Sequence, residues 1–287
     1  MPFAIVTELA QRNPLDTGNL MEAVEELVKL SDPGEVGRAE HNKIDRSVVF
    51  LSNIAAWTFP ILMLAIVAQV FLRGSGMNQA WLDDFQWWLY GGAVLVGIGY
   101  ASTTNSHVRV DIFFDNFSKE KQTRIEIFGV AWLMLPFIIL CWDLTIHYAV
   151  SSVIADEGSD SPNGLHNLWI LKVFMNMAFI LIGFACWGAY TRFLTRLTNP
   201  VLWKKLLFAF PSTMFLINLA VFYAIWWFLR LTTPSDITNR EIGRHWIFGE
   251  IEFGAQEIKY TIIITTIVTI LVIGIARLMD RGDKAED

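Results

Sequence analysis

The sequence predicts an all-α integral membrane protein with about six transmembrane helices. Hydrophobic residues make up 54% of the 287 positions, only 17% are charged, and twelve are tryptophan. A water-soluble domain usually carries about 25% charged residues. Six stretches are long and apolar enough to cross a hydrocarbon layer of about 30 Å, which takes about 20 helical residues. The bilayer is therefore the expected solvent of this chain.

The six predicted spans are separated by short polar or amphipathic segments. They cover residues 48–72, 85–104, 127–154, 173–190, 206–229 and 260–276. Pro60 lies near the middle of the first span and predicts a kink, because proline cannot donate the helical hydrogen bond. Residues 165–171 can extend the fourth span. The sixth has 17 residues, the lower limit for spanning, so an apolar helix lying on the protein is the alternative there.

The distribution of Lys and Arg predicts the orientation of the spans. Basic residues concentrate before the first span, after the sixth, and in the loops that join spans two to three and four to five. The loop at residues 151–167, by contrast, contains no Lys or Arg. Since basic flanks are retained in the cytoplasm, both termini are predicted to be cytoplasmic.

Residues 1–45 are predicted to form a cytoplasmic segment with an amphipathic helix. They lack the basic start and apolar core of a cleavable signal peptide. Asn19 and Glu22 have the spacing of a helix cap, and "SDPG" at residues 31–34 ends the helix. A helix docked on its own protein or on the membrane surface is the preferred interpretation, and a partner-binding helix is the alternative.

Residues with obvious catalytic chemistry are scarce. No CxxC, HExxH, P-loop or GxSxG motif occurs, and Cys141 and Cys186 lie at different depths, so no disulfide is expected. Asp143 and His147 share one face of the third span and suit a proton relay or half of a metal site. Asp143, however, lies about 24 Å beyond the start of that span, near the headgroups, where simple solvation is the preferred interpretation. We therefore expect no enzyme, no cofactor and no metal.

The stretch "NSHVRVDIFFDNFS", residues 105–118, ends the second span with His107, Arg109 and Asp111 at every second position. As a helix in the membrane interface, this stretch would turn its phenylalanines toward the acyl chains and its charges toward water. It would then turn the chain from the second span into the third. Arg109 and Asp111 are predicted to fix this turn, and a purely local salt bridge or a solvated loop is the alternative.

The longer segment "GYASTTNSHVRVDIFFDNFSKEKQTRIEIFGV", residues 99–130, resembles the small-permease (Q) subunits of tripartite ATP-independent periplasmic (TRAP) transporters. Arg73 at the end of the first span, the acidic pair Asp83 and Asp84, and the outer loop "EGSDSPNGLHNLW" agree with that family. The resemblance covers about residues 46–197. The N-terminal segment 1–45 and two further spans in residues 198–287 depart from the usual four-span pattern.

The resemblance implies a membrane scaffold subunit of a secondary transporter driven by the sodium gradient. In such systems a periplasmic binding protein delivers an organic anion, commonly a carboxylate, to a large permease (M) subunit that moves against the small one. His107, Arg109 and Asp111 are then candidates for contact with the large permease or for fixing the turn. Arg73, Asp83 and Asp84 are candidates for outer contacts.

Two other classes of protein stay open from the sequence. The first is a stand-alone transporter or channel, with Asp143, His147 and Lys172 around a polar path. The second is a membrane-anchored enzyme or electron carrier, which is weakened because only one of the five histidines, His147, lies within a span.

Overall fold

The computed structural model describes residues 38–107, 114–234, 237–253 and 256–286. The predicted amphipathic helix before residue 38 lies outside the described residues, and so do Arg109 and Asp111. Apart from one two-stranded hairpin, the regular structure of the described residues is helical. The predicted all-α membrane fold is confirmed.

The first span consists of two helices, α1 (Lys43–Ala56) and α2 (Thr58–Gly74), with Trp57 between them. Pro60 causes the interruption, because it lacks the N–H that would bond to the carbonyl of Ala56 four residues earlier. At the break, the Trp57 N–H bonds to the Ile54 carbonyl, three residues earlier, at 3.2 Å. The break thus falls three residues before the proline that predicted it.

The second predicted span is α3 (Ala80–Thr104), which has 25 residues. At 1.5 Å per residue it is about 37 Å long, enough to cross a bilayer. Its tryptophans, glycines and two aspartates make it less apolar than the other spans. Among the described residues, five other helical stretches are long and apolar enough to span: Lys43–Gly74, Lys119–Ile154, Trp169–Thr195, Phe210–Thr232 and Tyr260–Asp280. The count of six therefore depends on α3.

The third span contains a π-helical turn. It runs through α4 (Lys119–Phe128), the π turn Gly129–Met134 and α5 (Leu135–Ile154). In the π turn the Leu135 N–H bonds to the Val130 carbonyl, five residues earlier, and Pro136 has no N–H to give to Ala131. The Ala131 carbonyl accepts instead from the Ser212 hydroxyl. A helical carbonyl that would otherwise lack a partner in the bilayer is thereby satisfied.

Of the remaining spans, the fourth and the sixth are longer than the sequence predicts, whereas the fifth has 23 residues and is shifted toward the C-terminus. They are α6 (Trp169–Thr195), α8 (Phe210–Thr232), which follows the short α7 (Leu202–Phe208), and α10 (Tyr260–Glu286). A one-turn helix, α9 (Asn239–Ile242), and the hairpin of β1 (Glu250–Phe253) and β2 (Gln256–Lys259) lie between α8 and α10. The concern about the length of the sixth span is removed, because Tyr260–Asp280 provides 21 suitable residues.

The chain divides into two compact units. The first comprises Met1–Asp111 and Thr145–Arg192, and the second Ile112–Leu144 and Phe193–Asp287. In the first unit, α6 provides much of the core through Ile182, Ala185 and Cys186, which are fully buried. In the second unit, Asn218 of α8 accepts a hydrogen bond from Thr265 of α10 at 3.2 Å. The division into residues 1–45, 46–197 and 198–287 by membrane role stays a prediction.

Candidate functional site

The most deeply buried ion pair in the described part of the chain joins the start of the first span to the end of the fourth. Arg192 Nη1 lies 2.9 Å from Asp45 Oδ2. The Asp45 side chain is 0% exposed and that of Arg192 is 8% exposed. Arg192 Nη2 also donates to the Thr103 carbonyl at 2.6 Å, near the end of α3. One guanidinium therefore binds the ends of two other helices, and we call this group the Asp45–Arg192 cluster.

Asn42 completes the Asp45–Arg192 cluster through a capping box. Its side chain accepts from the Asp45 N–H at 3.0 Å, while the Asn42 N–H donates to the Asp45 carboxylate at 3.1 Å. The Asn42 amide also donates to the Gly188 carbonyl of α6 at 2.9 Å. Gly188 is required for this close approach, since a Cβ there would lie 2.7 Å from Asp45 Oδ1. The cap thus fixes α1 against α6.

His41 lies beside this cluster and is buried, at 7% exposure. Burial, and next the nearby Arg192 guanidinium, lower the pKa of His41 from its ordinary value of 6.5. A protonated imidazole would add a second cation next to Arg192, so the neutral form is favoured at neutral pH.

A second polar group, the Arg73–Asp83 cluster, joins the end of α2 to the start of α3. Arg73 Nη2 donates to both carboxylate oxygens of Asp83, at 2.8 and 3.0 Å. Gln69, which is 5% exposed, donates to Asp83 Oδ1 at 2.6 Å and accepts from Gln86 at 2.9 Å. Two predicted site residues are therefore brought together, and they bind each other.

Asp84 binds the loop that precedes the fourth span. Its Oδ2 accepts from the Leu165 N–H at 3.0 Å. A Cβ on Gly164 would lie 2.7 Å from that same oxygen and 2.5 Å from Ser159 Oγ. The loop therefore needs glycine at 164 to approach the carboxylate. Asp84 holds the acidic loop of residues 157–169 against the start of α3.

His107 is exposed and follows Asn105, which ends α3 in the left-handed conformation at φ 56°. Beyond it, the positions of Arg109 and Asp111 lie outside the described residues, so their roles stay predictions. On the far side, Ser118 caps α4 by accepting from the Lys121 N–H at 3.4 Å. The residues flanking the motif thus end one helix and begin the next.

Lys172, at the start of α6, is held by Glu157 from the preceding loop. The two side chains form an ion pair, and Lys172 Nζ also lies 3.8 Å from the centre of the Tyr148 ring. Ser152 donates to the same carboxylate at 2.5 Å. Hydrogen bonds from Lys172 and then from Ser152 lower the pKa of Glu157 from its ordinary value of 4.5. Lys172 is therefore committed to an intramolecular contact.

Asp143 of α5 accepts a hydrogen bond from the Tyr223 hydroxyl of α8 at 2.8 Å. This contact ties two helices of the second unit together. Among the described residues, no group of three or more His, Cys, Asp or Glu side chains is placed to hold a metal ion. Asp143 therefore takes part in a hydrogen bond between two helices.

These contacts define a multi-pass membrane protein whose helix ends are locked together by polar clusters. Residues 62–199 match the family model described as "Tripartite ATP-independent periplasmic transporters, DctQ component". This segment is similar to the DctQ components, the small permeases of TRAP transporters, so the resemblance found in the sequence is confirmed over these residues. The family consists of transporter components and not of enzymes. No curated protein and no solved structure matches the chain.

Sequence reasoning missed the Asp45–Arg192 cluster. In the sequence, Asp45 and Arg192 look like ordinary charged residues beside a span, and 147 positions separate them. One signal was available, because Asn42 followed by Asp45 just before an apolar run is the pattern of a capping box. That pattern predicts the start of α1 but not its partner in α6.

Proposed function

We propose that this chain is the scaffold subunit of a TRAP transporter that imports an organic anion, a carboxylate by chemical class. Its partners are a large permease subunit in the membrane and a periplasmic substrate-binding protein, and the sodium gradient drives uptake. The match of residues 62–199 to the DctQ family carries this proposal. The substrate class, the coupling ion and the dependence on a binding protein follow from what that family implies.

The polar clusters support a static role for the first unit. A scaffold must keep its helices fixed while a neighbouring domain moves, and buried ion pairs with several hydrogen bonds resist rearrangement. Arg192 binds both α1 and α3, while Asp83 binds two side chains of α2. Each of these contacts crosses between helices, so the helix ends cannot separate without breaking an ion pair, which is buried in the case of Asp45 and Arg192.

The stand-alone transporter has less support. Such a protein needs polar groups that change partners near the membrane centre. Two of the three residues considered for a polar path are bound elsewhere, Asp143 to Tyr223 and Lys172 to Glu157.

Orientation belongs to the same proposal, with both termini in the cytoplasm of a bacterium and the spans in its inner membrane. A reporter that is active only in the cytoplasm, fused after Asp287, should be active. A reporter active only in the periplasm should be silent at the same position. The reverse result would contradict the orientation deduced from the basic residues.

Co-purification with a TRAP large permease is the direct test of the function. The two proteins should co-purify in mild detergent. Vesicles holding both, supplied with the binding protein and a sodium gradient, should take up the anion. Vesicles that contain this chain alone should take up none. Uptake by the chain alone would overturn the scaffold proposal.

The motif at residues 107–111 provides a residue-level test. If Arg109 and Asp111 contact the large permease, Arg109→Ala and Asp111→Ala should insert normally but lose the permease on co-purification. The expected loss is about 1–3 kcal/mol for a charged hydrogen bond, and exchanging the two residues should not restore it. If the pair only fixes the turn, both variants should lower the amount of protein in the membrane, and the exchange should rescue it. Unchanged abundance, binding and transport would contradict both roles.

For Arg73, Asp83 and Asp84, contact with a partner on the outer side stays a proposal. Because Asp84 forms a hydrogen bond within the chain, a test variant should keep that bond and change only the charge. Asp84→Asn keeps a side-chain oxygen that can accept from the Leu165 N–H, so it should preserve the loop and change only the charge seen by a partner. Normal permease binding and transport in this variant would remove Asp84 from the outer contacts.

A further inference from the structure

A basic surface surrounds Trp203 in the second unit, beyond the residues that match the DctQ family. Trp203 lies on α7, the short helix between the fourth and fifth spans. Lys204 Nζ lies 5.8 Å from the centre of a Trp203 ring, and the Arg277 guanidinium of α10 lies 5.3 Å from it. Both distances are within the range of cation–π attraction, about 6 Å. Lys205 follows on the same helix, and we call these four residues the Trp203 shelf.

Hydrogen bonds fix the shelf in place. The Trp203 indole N–H donates to Asp280 of α10 at 3.2 Å, which ties α7 to the end of the sixth span. Lys204 Nζ donates to the Thr198 hydroxyl at 2.6 Å, ahead of α7. Asp280 of α10 thus holds the Trp203 ring, and Thr198 holds the Lys204 ammonium. Little side-chain entropy remains to be lost when an anion binds, which favours binding.

The charge of this region is strongly one-sided. Residues 193–209, which lead into α7 and contain it, hold Arg196, Lys204 and Lys205 and no Asp or Glu. The shelf itself has three cations, Lys204, Lys205 and Arg277, and Trp203 donates to one carboxylate, that of Asp280. A ligand that adds negative charge here is attracted by a net positive field.

Large apolar side chains border the same surface. Leu202 and Phe208 of α7 are 57% and 47% exposed, and Leu278, next to Arg277, is 66% exposed. The sequence of α7, LWKKLLF, therefore places cations and exposed apolar groups on one short helix. Such a helix is suited to the membrane interface, with its apolar residues among acyl chains and its cations at the headgroups. A suitable ligand must combine an anionic group with an apolar chain.

We propose that the Trp203 shelf binds an anionic phospholipid. The phosphate lies against Lys204, Lys205 and Arg277, and the acyl chains pass along Leu202 and Phe208. The two additional spans would then have a role of their own, which is to hold a lipid at the membrane surface. This inference does not depend on the transport function.

Lipid binding by the full-length chain in neutral detergent tests the proposal. Native mass spectrometry should show saturable binding of phosphatidylglycerol and much weaker binding of phosphatidylcholine. Replacing both lysines, Lys204→Gln with Lys205→Gln, should weaken phosphatidylglycerol binding by about fivefold for each cation removed, since one basic residue near an anionic surface contributes roughly 1 kcal/mol. Lys204→Arg with Lys205→Arg keeps the charge and should retain binding.

The matched control removes two lysines from a different part of the chain. Lys119→Gln with Lys121→Gln changes the net charge equally, and Lys121 also has an aromatic neighbour, with its Nζ 3.6 Å from the centre of the Phe117 ring. This variant should bind phosphatidylglycerol like the wild type. An equal loss in both double variants would show only general charge attraction and would overturn the proposal.

A second measurement needs no change in the basic residues. Phosphatidylglycerol with brominated chains should quench part of the tryptophan fluorescence, and Trp203→Phe should remove that part. Equal quenching by brominated phosphatidylcholine would overturn the proposal. Displacement of the lipid by millimolar inorganic phosphate would assign the shelf to a soluble anion, and displacement by the co-purified large permease would assign it to that protein. Either result would also overturn it.

Discussion

Neutralising Asp45 should destabilise the first unit more than any other single loss of charge considered above. Asp45→Asn keeps the size of the side chain and an oxygen that can accept from the Asn42 N–H, so the capping box can persist. What the variant removes is the negative charge 2.9 Å from Arg192 Nη1. The guanidinium would remain buried without its counter-ion.

The magnitude follows from the distance and the burial. At 2.9 Å and an effective dielectric constant of about 20, the attraction between the charges is roughly 6 kcal/mol. Part of this offsets the cost of removing Asp45 from water, which the variant no longer incurs. Breaking a buried pair from one side typically costs about 3–5 kcal/mol. Since folded proteins are stable by about 5–15 kcal/mol, much of the folded population is at risk.

Thermal unfolding of the purified protein in detergent, followed by size-exclusion chromatography of heated samples, measures this effect. We expect the midpoint for Asp45→Asn to fall on the order of 10 °C. The control is Asp83→Asn, which breaks the exposed pair with Arg73 and should cost at most about 1 kcal/mol. The double variant Asp45→Leu with Arg192→Met should recover most of the loss, because no buried charge remains. If Asp45→Asn unfolds at the wild-type temperature, the ion pair does not hold the helix ends together.

Two further changes test other contacts of α6. Gly188→Ala places a Cβ 2.7 Å from Asp45 Oδ1 and should lower the free energy of unfolding by about 1–3 kcal/mol. Gly183→Ala, on the same helix with nothing within 4 Å, should be neutral or slightly stabilising in the same assay. Glu157 has a lowered pKa, so its bond to Lys172 stabilises the fold above about pH 4.5 and is lost as the pH falls through the folded-state pKa. Glu157→Gln should therefore flatten the pH dependence of the unfolding midpoint below pH 4.5, and an unchanged profile would contradict this assignment.

The helices could be predicted from the sequence because the bilayer imposes a simple requirement on them. Apolar stretches of about 20 residues must be helical, since no water is present to satisfy their backbone groups. The ends were less accurate. The fourth span was placed from 173 with a possible extension over 165–171, and the helix begins at Trp169, because Lys172 interrupts the apolar run but not the helix. The sequence predicts a kink at Pro60. The helix is instead interrupted at Trp57, next to the Ala56 carbonyl, which receives no hydrogen bond from Pro60.

The polar contacts could be predicted only when both partners were close in sequence. Arg73 and Asp83, ten residues apart, were both selected from the sequence, but as contacts to another protein rather than to each other. Asp45 and Arg192 were not paired, because nothing in one sequence indicates that two helix ends 147 residues apart meet. The Trp203 shelf was likewise not foreseen, since Arg277 comes from a different helix than Trp203 and Lys204 and each of these residue types is common at a membrane surface.

The π turn in the third span changes which way the rest of that helix faces. A π turn contains about one residue more than an α turn, so every later side chain is rotated by about 100° relative to an uninterrupted α-helix. Asp143 follows the turn Gly129–Met134 by nine residues and faces Tyr223 only with this rotation included. Removing one residue from the turn itself would convert it to an α turn and leave Asp143 facing α8, whereas removing one residue between the turn and Asp143 would rotate that side chain away by about 100°. A one-residue deletion within residues 135–142 is thus expected to damage the Asp143–Tyr223 contact more than a one-residue deletion within the turn.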